Sequence, residues 1–237
     1  MTYKDLHIAF ELEATSKFSN TDETKPTSLE IEYWLNVGLS NWLDSKYTGY
    51  NQRLKGFEQD QKRVDDLRKL VKQIKIGADT IDDETYYIDL PNDYRYLVGD
   101  VCEIAPNKSD LECWKTNSDG TNATVYTNPI HCTIDTLEQR RSNTLSDHIY
   151  SKGEGKPLRV FRGNSIYYYT DGNYKVDASL ITYIKEPSRI DIHTNPLSVY
   201  NELSDHSINE VVKQAVQAYL ENKSNQRLQT FSQKQEY

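Results

Sequence analysis

The sequence predicts an α+β fold: N-terminal helices and a C-terminal helix forming a helical bundle, with a β-rich middle lobe. Three observations predict it. Over residues 1–80 apolar side chains recur at helical spacing. From there to about residue 199 they come in short alternating runs, broken by Gly, Pro, Asn and Asp. Helical spacing then returns after residue 200. The implied organisation is a discontinuous bundle of residues 1–80 and 200–223, a β-rich lobe over 81–199, and a flexible C-terminal docking tail over 224–237.

His7 to Ser16 reads as a short helix, followed by a polar loop that ends at Pro26. Thr27 and Glu30 then form a capping box, a hydroxyl and a carboxylate spaced to satisfy each other's backbone N–H. Behind it Ile31, Trp34, Leu35, Leu39, Trp42 and Leu43 define one apolar face. Gly38 falls on that face, where a missing side chain lets another helix approach closely. The turn Lys46–Asn51 ends the helix. A third helix is expected from Glu58 to Lys75, with Val64, Leu67, Val71 and Ile74 as its apolar stripe. Its many charges read as a solvated face.

The period changes past Gly77. Tyr86–Leu90 reads as a strand stopped by Pro91, and Asn92 or Asp93 as the cap of a helical turn through Leu97. Val98–Trp114, Thr124–Thr127 and Ile130–Ile134 look extended, and Asp135 is placed to cap a helix to about Asp147. Leu158–Arg162 is a further strand. Ile166–Thr170 and Asn173–Val176 flank Asp171-Gly172, a dipeptide that suits a tight hairpin turn. Leu180–Lys185 is a strand bounded by Pro187. The last helix begins near Ser204–Ser207, with Ser207 and Glu210 at capping-box spacing, and runs through Ile208, Val211, Val212, Ala215, Val216, Tyr219 and Leu220.

The formal net charge is −8, which argues against a protein that wraps a phosphate backbone by bulk attraction. Only 36% of residues are apolar, and 18 are Tyr. Tyrosine suits β structure and also half-wet surfaces between subunits. Cys102, Cys113 and Cys132 are odd in number and lack zinc-ligand spacing, so a reducing compartment is expected. No secretory signal and no apolar run of membrane-spanning length is visible.

No catalytic signature emerges. The histidines at 7, 131, 148, 193 and 206 are scattered, and His131-Cys132 would face opposite ways on a strand. Asp82-Asp83-Glu84 lacks the glycine and spacing of a calcium loop. Gly153-Glu154-Gly155-Lys156 lacks the first glycine and the following hydroxyl of a phosphate loop. Asn107-Lys108-Ser109 and Asn122-Ala123-Thr124 match the glycosylation pattern by chance. The expectation is no catalytic residue, no cofactor and no metal.

Several stretches carry a resemblance. They are Lys25–Ile31 leading into Leu35-Asn36, Lys46–Asn51, Gly56-Phe57-Glu58 with Asp60–Arg68, and Leu90-Pro91-Asn92-Asp93-Tyr94. Later come Tyr183–Pro187, Ile190-Asp191-Ile192, Glu210-Val211-Val212 and Ala215-Val216. Together these resemble the head–tail connector or ring proteins (portal-adaptor-like) of crAss-like podoviruses. The resemblance spans nearly the whole chain in short pieces. It implies a virion protein, assembled in the host cytoplasm, that forms a homo-oligomeric ring (a dodecamer) at the portal vertex. Its partners would be the portal protein, adjacent tail ring proteins, and genomic DNA passing without sequence-specific binding; no membrane is implied. Leu228, Phe231 and Tyr237 are the expected docking anchors of the tail, whose deletion is expected to abolish attachment to portals. The rival readings are a more distal ring of the same virion, a cytoplasmic binding module acting on a host protein, and, behind both, a hydrolase using unrecognised carboxylates.

Overall fold

The elements, in a computed structural model, are α1 (Tyr3–Lys17), α2 (Ser28–Thr48), α3 (Gln61–Leu67), β1 (Val71–Gly77), β2 (Asp79–Asp82), β3 (Thr85–Asp89), β4 (Tyr94–Pro106), β5 (Val125–Thr127), β6 (Ile130–His131), α4 (Leu137–Arg141), β7 (Leu158–Arg162), β8 (Ser165–Tyr169), β9 (Tyr174–Lys185) and α5 (Asp205–Asn222). The structure describes residues 1–17, 25–48, 61–107, 114–119, 121–143, 145–150 and 155–223. The fold is α+β and divides into two compact units: Met1–Leu70 with Pro187–Tyr237, and Val71–Glu186.

In the first unit the capping box of α2 forms as its spacing predicts. Thr27 N–H donates to Glu30 Oε2 at 2.7 Å, and Glu30 N–H donates to Thr27 Oγ1 at 3.3 Å. The same device starts α1 one turn earlier than the periodicity suggested, through reciprocal bonds between Thr2 and Asp5. Leu6, Phe10 and Ala14 of α1 are buried, as are Ile31, Leu35, Leu39, Trp42 and Leu43 of α2. On α5 every residue of the expected apolar face is buried. A Cβ on Gly38 would stand 2.6 Å from the Cβ of Ala215, so α2 and α5 meet backbone to backbone at that point.

Two expectations for this unit are corrected. The cap of α5 is Ser204, whose side chain accepts from Ser207 N–H, and not a Ser207–Glu210 box. Ser207 is buried inside the helix and gives its hydroxyl to Asp66, while Glu210 is held by α2 side chains. The third helix ends at Leu67, and Val71–Gly77 is a strand. Val71 and Ile74 fit a helical spacing while Ile74 and Ile76 fit a strand spacing, and pairing with β9 over the full seven residues decides the outcome. Residues 58–60 lie outside the described residues. The division accordingly falls after Leu70 and Glu186 instead of after residues 80 and 199. Residues 187–204 are tied to α1 and α2: Asn36 bonds both the carbonyl and the N–H of Ile190, and Tyr200 N–H donates to Met1 O.

The second unit holds two sheets, ordered β1-β9-β4-β5 and β2-β3-β8-β7-β6. They share one core, with Tyr86, Ile88, Ile166 and Tyr168 from the second sheet against Cys102, Ile104, Tyr174, Val176, Ile181 and Tyr183 from the first. Tyr94–Leu97, expected as a helical turn, begins β4 and pairs with the end of β9. The short helix expected from Asp135 to about Asp147 contracts to α4, Leu137–Arg141.

The Asp171-Gly172 turn takes a positive φ at Gly172 (77°), but it does not close a hairpin. It carries the chain from β8 in one sheet to β9 in the other. A two-residue hairpin forms instead at Gly163-Asn164, where Gly163 has φ 59° and Arg162 pairs with Ser165.

Candidate functional site

The residues singled out from sequence are not gathered into one place. Leu228, Phe231 and Tyr237 lie outside the described residues. Among the described residues no group of three His, Cys, Asp or Glu side chains could hold a metal ion. Cys102 and Cys132 are free, buried thiols, and burial pushes both above the ordinary thiol range. Asp82 accepts from Glu84 N–H, and Glu84 pairs with Arg141 at 2.7 Å. Gly155 packs against the Tyr174 ring, where a Cβ would stand 2.6 Å from the nearest ring carbon. Lys156 pairs with Asp147. Residues 153 and 154 of that stretch lie outside the described residues.

Three other arrangements emerge. The first joins α2, α3 and α5 within the helical unit. Lys46 Nζ lies 2.8 Å from Asp66 Oδ2 and 2.6 Å from Glu210 Oε2. Trp42 Nε1–H donates to Glu210 Oε2 at 3.0 Å, Lys62 reaches Glu210 Oε1 at 3.1 Å, and Ser207 Oγ–H donates to Asp66 Oδ1 at 3.0 Å. Burial works against ionised Glu210, yet the bonds from Lys46, Trp42 and Lys62 outweigh it and hold the carboxyl at about 2. Burial likewise opposes charge on Lys46, and its two carboxylate partners raise its pKa nonetheless. A general acid or base works best when its pKa lies near the operating pH. Here the pairing drives Glu210 and Lys46 away from neutrality and ties α2, α3 and α5 together. Beside it an open groove of about 520 Å³ is lined by Asn41, Ser45, Lys213, Gln214 and Gln217.

The second arrangement crosses the core of the β unit. Arg159 of β7 pairs with Asp100 of β4, Tyr168 Oη–H donates to Asp100 Oδ2 at 3.0 Å, and Tyr168 shares a 2.9 Å bond with Ser179 of β9. Burial raises the Asp100 carboxyl against the pull of Arg159 and Tyr168, a sign that ion pairing there carries a large desolvation cost.

The third lies on the outer face of the five-stranded sheet. Tyr87 and Tyr167 are direct cross-strand partners with stacked rings 5.7 Å apart. The guanidinium of Arg162 sits 5.4 Å from the Tyr167 ring and 5.6 Å from that of Tyr169. Arg141 also lies 5.3 Å from the Tyr169 ring and is paired with Glu84 and Glu138.

Sequence reading missed all three, because each joins residues distant along the chain. Glu210 lies on the polar side of α5 with Gln214 and Gln217, so its spacing offers no hint. No protein-family model matches the chain, and no curated protein matches it. No helix among the described residues is long and apolar enough to cross a membrane.

Proposed function

We propose that the chain is a structural virion protein, a subunit of an oligomeric ring at a portal vertex that connects capsid portal to tail and extends the DNA channel. One observation carries the assembly part of this reading. Large apolar side chains stand exposed one helical turn apart on both N-terminal helices: Ile8 (41% exposed) and Leu12 (67%) on α1, and Leu29 (68%) and Tyr33 (61%) on α2. Neighbours at that spacing present continuous apolar surface, which marks a face covered by another molecule. The two charge networks each tie several elements together, α2, α3 and α5 in one and β4, β7, β8 and β9 in the other, which suits a scaffold. The charge of −8 suits a passage that releases DNA. The ring and portal assignment itself rests on the short stretches that resemble connector proteins.

A Leu12→Lys/Tyr33→Lys variant is expected to keep its fold and lose at least about tenfold in assembly, as loss of a central apolar anchor does. Sedimentation of the full chain, alone and with purified portals, reads this out. Undiminished assembly would remove these helices from the interface.

A further inference from the structure

We infer that successive copies join edge to edge through the five-stranded sheet, β2 of one copy lying beside the Val160–Arg162 end of β7 in the next, with Asp79 received by Arg162. The inference rests on the ring reading and names the surface that makes the ring.

Both margins of this sheet carry positions with no paired strand among the described residues, although of those on β7 Val160 is buried and only Phe161 and Arg162 reach the surface. β2 is terminal in the strand order, and all four of its residues are exposed. At the other margin β6 covers only Leu158 and Arg159. Val160–Arg162 therefore has no strand on its outer side among the described residues. An unpaired edge presents a row of N–H and C=O groups that template another strand.

Charge decides which strand fits. The outer face bears an acid at one margin and a base at the other. Asp79 pairs with Tyr87 and Tyr87 with Tyr167, which puts Asp79 on the same face as the tyrosine stack. Arg162 stands beyond that stack, on β7. β2 and β7 are three strand spacings apart, roughly 14 Å, so the two charges of one copy do not meet. Arg162 has no carboxylate partner among the described residues, while its ring contacts hold the guanidinium ready for a bidentate acceptor. Ile81, 56% exposed on β2, adds the apolar contact such a junction needs. An acid margin and a basic margin on opposite edges of one sheet form the head-to-tail contact of a closed ring.

A charge swap tests this. Asp79→Arg and Arg162→Asp, each in the full chain, are expected to keep the wild-type melting temperature and to weaken self-association at least about tenfold. The double variant, with the charges exchanged, is expected to restore most of the assembly. A single variant that assembles like wild type, or a double variant no better than the singles, overturns the inference and leaves the ring standing. In that case the aspartates of β2 serve only to keep the edge from pairing. A wild-type chain that never self-associates, alone or on purified portals, overturns the ring reading itself.

Discussion

Lys46→Met is expected to destabilise the helical unit by about 3–5 kcal/mol, the range found when one member of a buried ion pair is removed and its partner stays behind. The Lys46 and Asp66 side chains are only 14% and 7% exposed, and Glu210 is drawn to the same ammonium. Methionine keeps the bulk of the stem and removes only the charge. Two carboxylates are then left facing each other without the cation that holds α2, α3 and α5 together. Denaturant unfolding at neutral pH measures the loss. A loss below about 1 kcal/mol, as for an exposed pair, would show that the cluster is solvated.

The same cluster sets an acid limb. Glu210 has its carboxyl lowered from an ordinary 4.5 to about 2, so its contribution is complete above pH 4.5 and disappears as the pH falls toward 2. Lys46→Met should flatten that limb along with lowering the plateau.

Arg159→Met should have an effect of similar size in the β unit, again about 3–5 kcal/mol. It strands Asp100, whose side chain is 3% exposed, with Tyr168 as its remaining side-chain donor. The companion variant separates a pair that stabilises from one that specifies the packing. Burial already dominates at Asp100, so Asp100→Leu combined with Arg159→Met should recover most of the loss. Tyr168 would keep its bond to Ser179. Thermal unfolding of the single and double variants gives the comparison. A double variant less stable than Arg159→Met alone would mean that the carboxylate stabilises the sandwich without its arginine.

How far the fold is legible from sequence depends on whether the deciding interaction is local. The Thr27–Glu30 box, the apolar face of α5 and the close approach at Gly38 depend on residues within a few positions or on a missing side chain, and all were readable. Val71–Gly77 was misread because Val71 and Ile74 satisfy a helical spacing, and only pairing with β9, a hundred residues on, makes the segment a strand. Asp171-Gly172 was read correctly as a turn and wrongly as a hairpin, since a positive φ fixes the bend but not the sheet that the next strand joins. The charge networks share the same cause. Asp66 belonged to a face read as solvated, and only the packing of α3 against α2 and α5 buries it against Lys46 and Ser207.

Electron microscopy of the intact portal vertex, with this chain traced in the density, tests the central claim most directly. The account predicts a closed ring of copies stacked on the portal, with the exposed faces of α1 and α2 and the open edges of the five-stranded sheet covered by neighbours. Mature particles that lack the chain would contradict it.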